Sequence, residues 1–414
     1  MLPTEMVEAV ADNLSLIEFR QLRLVCSSLQ QQSLHQFRER FFRQKTLAWE
    51  VESFESLLQV TKHPYFGKSI RHLIIESTPT YAIRLWKLNR RVIETPDHDV
   101  EHRLTLEEDA LADEACRVAK FWNETRYDQK SLMTFFEQVR TLESITLSFN
   151  GMERHLGKFA RMYCERSRNE MSRPFVTTMF TMATLGATVD NIFLHEDRNY
   201  GAISIGRLES LSPVLSKFED AFTNLHTIQL NLRDWRFPEE GFEPPIGRAP
   251  FVVRFLSKCT NIRRFEVSCF SSLEGNIFPE MAKHCKFPFL ERCHLDLFRV
   301  FAMEDLLNFL DGAKDTLRVL SLSHVVLRDE TADWSDIMRS IASGLNLESL
   351  ELKNLFNRRG GRVGIEGTVK GAITLSGPDL KSTLEYHADN LVVGNWGPAW
   401  HLASTSYPFI GLRT

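Results

Sequence analysis

No stretch of this 414-residue chain is apolar for long enough to cross a membrane as a helix. Glu5, Glu8 and Asp12 interrupt any apolar core of the kind a secretory leader needs. Cysteine is scarce: seven residues, an odd number, scattered with no Cys-x-x-Cys pair, which fits reduced thiols in the cytosol or nucleus. Charge of one sign is lacking as well. Fifty Lys and Arg stand against 54 Asp and Glu, and a net charge of −4 does not mark a nucleic-acid binder. Motif chemistry is missing too, with no Gly-x-Ser-x-Gly elbow, no His-Glu-x-x-His and no dinucleotide glycine set after a strand. Cys285, Cys293 and His294 are close in sequence, but Cys293 takes an inward strand position, where thiols are structural rather than nucleophilic. His98 and His102 stand four apart among acids, and a metal site would need further ligands. The expectation is a protein that is not an enzyme and carries no cofactor and no metal. What is present, 43% hydrophobic and 25% charged residues, is the make-up of an ordinary soluble globular chain.

The most organised stretch is the first 45 residues. Pro3 suits a helix start, where its missing N–H would be unsatisfied anyway. Met6, Val10 and Leu14 recur every four residues, one stripe of a helix. Ser15 and Glu18 spell a capping box that starts a second helix at Leu16, and Leu14 and Phe19 sit where a hydrophobic staple would fix the bend. Leu22, Val25, Cys26 and Leu29 follow at i, i+3, i+4, i+7 and predict the core side of that helix. Leu34, Phe37, Phe41 and Phe42 repeat the spacing on a third. Three short helices bury too little surface to stand alone. Leu2, Val7, Ile17 and Leu24 are also apolar and lie off these stripes. Either the rest of the chain covers them or another protein does.

The run Leu2-Pro3-x-Glu5-Met6, followed by Leu22-x-Leu24-Val25-Cys26, resembles an F-box. Its continuation through Phe41-Phe42-Arg43, the Leu57-Leu58 helix, His63-Pro64-x-Phe66-Gly67 and Ile70-Arg71-His72-Leu73 is similar to the fungal F-box proteins with degenerate leucine-rich repeats. The likeness covers about the first 75 residues; beyond them it is one of architecture. Many F-boxes place a basic residue and a Trp soon after the Cys, where this chain has Ser27, Ser28 and Leu29. The resemblance implies that the F-box binds the Skp adaptor of a cullin–RING ubiquitin ligase and that the rest of the chain recruits a protein substrate. Leu2, Pro3, Met6, Leu14, Leu22, Val25 and Cys26 would occupy the motif's apolar, adaptor-binding positions.

Further along, Ser53 to Thr61 reads as a helix with Phe54, Leu57 and Leu58 inward, ending before Pro64, and Ile70 to Ile75 as a first strand. Between Glu94 and Glu114 nine acids face Arg103; Thr95 to Asp99 reads as a mobile loop, and Thr105-x-x-Glu108 as a second capping box starting a helix toward Trp122. From Thr141 the pattern apolar-x-x-apolar-x-apolar recurs at Leu142, Val189, Leu225, Ile262, Leu290, Leu317 and Leu347, and it fits Ile70 as well. The last three intervals, 28, 27 and 30 residues, suit a leucine-rich repeat of one strand and one helix, while the earlier ones are longer and leave insertion or absence of repeats open. Met152 to Leu185, broken at Pro174, reads as a helix pair outside the array, and Arg236 to Pro250 as a loop. Asn357 to Thr414 departs from the pattern: its glycines lack a phosphate-loop ending and suggest a β-hairpin, with Trp396, Trp400 and Tyr407 covering the open end.

The expected fold is therefore α/β: an N-terminal three-helix F-box (1–45), linker helices with a first strand and an acidic loop (46–140), an irregular leucine-rich-repeat-like solenoid with parallel strands on one side and helices on the other (141–356), and a C-terminal cap (357–414). The expected function is substrate recognition for an SCF-type ubiquitin ligase in cytoplasm or nucleus. Its partners would be the Skp adaptor and an unknown protein substrate, with neither nucleic acid nor membrane. The alternative is a non-enzymatic repeat scaffold that binds a protein partner without ligase activity. Strand alternation assigns the substrate to Thr227, Gln229, Arg264, Glu266, Arg292, His294, Asp296, Ser321, Glu351 and Lys353, a surface of mixed charge. Six bases between residues 20 and 45 (Arg20, Arg23, Arg38, Arg40, Arg43, Lys45) against Glu39 would steer an acidic adaptor.

Overall fold

The computed structural model describes residues 3–84, 87–88, 98–149, 165–197, 201–233, 249–269, 277–358, 361–365 and 372–394. Leu2, the acidic residues 94–97, residues 152–164, most of the loop after Arg236, and Trp396, Trp400 and Tyr407 lie outside them.

Four helices open the chain: α1 (Thr4–Ala11), α2 (Leu16–Val25), α3 (Ser27–Gln32) and α4 (Leu34–Phe41). The turn from α1 to α2 is set by the expected capping box. The Ser15 hydroxyl accepts from the Glu18 N–H at 3.4 Å and the Glu18 carboxylate from the Ser15 N–H at 2.7 Å, so two otherwise orphaned donors are satisfied. The second helix of the sequence reading, which carried Leu29, is two, α2 and α3, broken at the extended backbone of Cys26; α3 and α4 meet at Ser33, whose buried hydroxyl donates to the Leu29 carbonyl at 2.6 Å.

The body is a mixed α/β structure around a mostly parallel sheet whose strand order follows chain order. The strands are β1 (Gln44–Ala48), β2 (His72–Glu76), β3 (Ser144–Ser148), β4 (Asn191–Leu194), β5 (Thr227–Arg233), β6 (Arg264–Cys269), β7 (Arg292–Asp296), β8 (Val319–Ser323), β9 (Ser349–Lys353) and β10 (Ala372–Ser376). All neighbours from β1 to β9 pair in parallel, and β10 closes the row antiparallel to β9. The longer helices between strands are α5 (Val51–Lys62), α6 (His98–Thr125), α7 (Tyr127–Gln138), α8 (Glu165–Leu185), α9 (Phe251–Leu256), α10 (Ile277–His284), α11 (Met303–Asp311), α12 (Trp334–Gly344) and α13 (Leu380–Asp389).

The recurring apolar pattern is one row of this sheet. Leu73, Ile145, Ile192, Ile228, Phe265, Cys293, Leu320 and Leu350 lie opposite one another strand by strand, all buried in one core with the inward faces of the helices. The long early intervals are insertions within this register: α6 and α7 lie between β2 and β3, and α8 between β3 and β4. Three successive units share a further feature. Leu297, His324 and Asn354, each the first residue past its strand, have φ of 62°, 51° and 51°. The chain thus bends through the left-handed region at the same point of each unit, and short parallel strands follow at Arg299–Val300 and Val326–Leu327.

Several sequence expectations need correction. The first strand is β1, so residues 44 and 45 belong to the sheet rather than to the helical front. Its inward row carries a single fully buried residue, Leu47, too little to stand out in the sequence. Thr105 and Glu108 lie inside α6, which begins at His98; a capping signature is a local pattern that mid-helix residues can also spell. Pro174 does not break its helix. α8 runs through it because Met171, Phe175, Met179 and Met182, all buried, hold one face in the core. That helix is part of the body, packed on α7, and not a pair outside it. After Asn357, Arg362–Ile365 pairs antiparallel with Leu391–Gly394 across an intervening strand and helix, so the two strands are not a local hairpin. β10 extends the sheet and α13 packs on α12.

Candidate functional site

The candidate site is the outer surface of α1 and α2. Inside the helical front, Ala11, Phe19 and Phe37 form a small core, with Leu14, Leu16, Phe41, Phe42 and Phe66 packed around it. The rings of Phe19 and Phe37 lie 5.3 Å apart, Phe19 and Phe41 meet edge to face at 5.6 Å, and Phe42 stacks on Phe66 at 4.1 Å. Phe66 belongs to the segment after α5, so this core is completed by the body. The approach is close: a Cβ at Gly67 would stand 2.2 Å from the Thr61 carbonyl oxygen, and only glycine lets the chain turn there.

The core side expected of the second helix, Leu22, Val25, Cys26 and Leu29, is not its buried side. Val7 and Ala11 point inward, while Met6 and Val10 are more than half exposed. On α2, Phe19 is the buried residue, Val25 is 70% exposed, and Cys26 just past the helix is exposed too. The period alone could not decide, because Met6, Val7 and Val10 put apolar groups on both sides of an eight-residue helix. Of the residues assigned to the adaptor, Pro3, Met6, Val25 and Cys26 are exposed, Leu22 is half-buried, and Leu14 packs on the inner aromatic cluster; Leu2 lies outside the described residues. Val10, Ile17 (69% exposed) and Leu24 (84%) add to the surface; Ile17 and Leu24 lie off the apolar stripes, but so does the buried Val7, and Val10 lies on one, so the stripes did not mark it. Large apolar side chains left this open on one face are the usual mark of a docking surface.

Of the bases expected to steer a partner, Arg20, Arg40 and Arg43 are exposed and Arg23, Arg38 and Lys45 half-buried, and several of them also meet groups of this chain. Arg40 donates to the Ala11 carbonyl at the C-terminal end of α1 and to the Leu14 carbonyl in the turn beyond it, and Arg23 lies over the Phe37 ring at 4.0 Å. Burial lowers the pKa of Arg23, and burial followed by Arg20 lowers that of Lys45, which donates to the Phe41 carbonyl at 3.0 Å. Arg43 bonds Glu143 at 2.8 Å, and Arg71 and His72 approach the same carboxylate at 3.8 and 3.4 Å. The hydrogen bond from Arg43 holds the Glu143 carboxyl below its ordinary range. This cluster ties the helical front to β2 and the start of β3.

The second candidate surface is the open face of the sheet. The assigned residues are neighbours there: Thr227 lies opposite Arg264, Arg264 opposite Arg292, and Gln229, Glu266, His294, Ser321 and Glu351 form one row, with Asp296 and Lys353 in the next. Six of them bond one another. Gln229 donates to Glu266 at 2.8 Å, Arg264 to the same carboxylate, and Ser321 joins His294 (2.8 Å) to Glu351 (2.9 Å). Beyond them Asp296 meets His324 at 2.8 Å, and His324 meets Asn354 at 2.8 Å. Thr227 and Ser321 are 8% exposed, and Arg292 is exposed. A ladder paired within itself is a stiff polar platform, a different object from the loose row of solvated side chains that alternation suggests.

The thiols near His294 have their pKa raised. Burial pushes Cys285 up to about 12, and Cys293 is raised by the same cause, followed by Glu266. The side chains of His98 and His102 lie outside the described residues. A scan against protein-family models matches none of them, and no curated protein matches the chain.

Proposed function

We propose that this chain is the substrate-recognition subunit of an SCF-type cullin–RING ubiquitin ligase. Its N-terminal helices, read as an F-box, dock on the Skp adaptor, and its body, read as a leucine-rich-repeat-like solenoid, holds a protein substrate on the open face of the sheet. The observation that carries the reading is the division of apolar residues in α1 and α2. Ala11, Phe19 and Phe37 form the inner core of the helices with the aromatic residues around them, and Met6, Val10, Ile17, Leu24 and Val25 stay outside it, left for another polypeptide. They fall in the stretch that spells the F-box-like motif. The mechanism is proximity: a substrate held on the body meets the charged ubiquitin carrier at raised effective concentration, and no catalytic side chain of this chain takes part.

The test is affinity purification of the full chain and of Leu24→Asp/Val25→Asp, with the co-purified proteins identified by mass spectrometry. The wild type is expected to bring down the Skp adaptor and cullin, and the variant neither. Adaptor retained by the variant would overturn the docking surface, and adaptor without cullin would turn the assignment into that of a scaffold outside ubiquitin transfer.

A further inference from the structure

A cavity of about 500 Å³ lies beyond the carboxyl ends of β1 and β2, away from the residues of the docking surface and of the polar ladder. Three elements wall it. Trp49 and Glu50 follow β1, Ser77 follows β2, and Glu114, Val118, Phe121 and Trp122 come from one face of α6 at i, i+4, i+7 and i+8. Glu170 and Pro174 of α8 close the side. The wall is braced from behind. Arg173, 5% exposed, bonds the fully buried Asp128 at 2.6 Å, donates to the Trp122 carbonyl at 2.9 Å and to Asn123 at 2.7 Å. A buried ion pair that grips the backbone at Trp122 fixes the pocket before anything enters it.

Two features of the lining point to what it takes. The first is its combination of rings and one sign of charge. Trp49 and Trp122 have ring centroids 6.5 Å apart, and Phe121 meets Trp122 edge to face at 5.0 Å. Around them stand Glu50, Glu52, Glu114 and Glu170, of which Glu114 is bonded to Arg84 at 2.7 Å, and among the described lining residues only Arg117 is cationic. Aromatic faces and carboxylates both favour a positive charge, and the rings offer an apolar body little but contact. The second feature is independent of charge. Ser77, 1% exposed, has a hydroxyl with no hydrogen-bond partner, and the buried Trp49 indole N–H has none. Both groups belong to residues that line the cavity, and a bound polar group that reached them would satisfy them.

We infer that this cavity binds a small organic cation: an ammonium on an aromatic or aliphatic body that also carries a hydrogen-bond acceptor for the Trp49 N–H. The volume falls in the range of ligand pockets and exceeds what a bare ion would fill. The site uses none of the residues assigned to adaptor or substrate, so its test stands whatever the adaptor experiment returns.

Three probes share a phenol ring and differ in charge: tyramine is a cation, 4-ethylphenol is neutral and 4-hydroxyphenylacetate is an anion. Each is titrated into the full-length protein, with binding followed by calorimetry and by the emission of its tryptophans. Tyramine is expected to bind at least tenfold tighter than 4-ethylphenol, and the anion weakest. Glu50→Gln/Glu52→Gln, at exposed rim positions, is expected to cut the advantage of tyramine several-fold while leaving 4-ethylphenol unchanged. Trp49→Ala is expected to weaken both. Equal affinity for the three probes, tighter binding of the anion, no binding of tyramine at millimolar concentration, or tyramine binding indifferent to the double substitution would each overturn the inference.

Discussion

Leu24 offers the sharpest separation of docking from folding. It is 84% exposed, so replacing it by Asp removes no contact that the folded chain depends on, and stability should stay within about 0.5 kcal/mol of wild type. If a partner covers this face, burying one leucine contributes roughly 1.5–3 kcal/mol. Asp would lose that contribution and add the cost of desolvating a carboxylate. A loss of at least about 2 kcal/mol follows, roughly 30-fold in Kd. Phe19→Ala is the opposite control. Phe19 is fully buried, with Phe37 and Phe41 within 6 Å, and truncating it should cost about 3–5 kcal/mol and loosen the helical front itself. The assay is a titration of purified Skp adaptor into each full-length variant beside a thermal melt. Leu24→Asp should weaken binding at unchanged melting temperature. Unchanged affinity would refute the docking face, and a melt as depressed as that of Phe19→Ala would mean that the inner and outer faces of α2 are exchanged.

Three further outcomes follow from the structure. Arg173→Met strands the buried Asp128 charge and should cost about 3–5 kcal/mol in urea unfolding, most of it recovered when Asp128→Leu removes the charge as well. Asp329 accepts from the backbone N–H groups of Met303 first, then Thr331 and Ala332, and its pKa is lowered to about 2 from 3.8. Because the folded value is the lower one, its stabilisation is present above pH 4 and lost as pH falls through about 2, so the gap between wild type and Asp329→Ala in a pH series of melts should close over that interval. Phe66→Ala removes the stacking partner of Phe42; hydrogen exchange should accelerate across α1 to α4 while β5 to β9 keep wild-type protection, and uniform acceleration would show that the front and body unfold as one.

What could be read from the sequence was what depends on local period. Ile70, Leu142, Leu290 and the other starts of the apolar pattern mark units that do share one register, because alternation along a strand is written in neighbouring residues. The capping box at Ser15 was legible for the same reason. What depends on the partner of a surface was not. Met6 and Val7 are both apolar, and which one turns inward is decided by what packs on α1 and not by its own period. β1 escaped because an edge strand buries one face and Leu47 alone announces it. Pro174 reads as a break until the buried methionines on either side are seen to carry the helix through. In the polar ladder, alternation placed the residues correctly on one face, yet nothing in it says that His294, Ser321 and Glu351 would satisfy each other.

That pairing bears on how a substrate would be held. Arg264, Glu266 and Gln229 already satisfy one another, so a partner approaching the open face gains little by matching single charges and must compete with bonds in place. Shape and the polar pattern of the whole row would select it. The opposite holds at α1 and α2, where Leu24 and Ile17 have no internal contact to surrender and every square ångström covered is gain. Arg43, Arg71 and His72, gathered on Glu143, link the front to the body. In the proposed role, the outer face of α1 and α2 would associate through apolar cover and the open face of the sheet would discriminate through pre-paired polar groups.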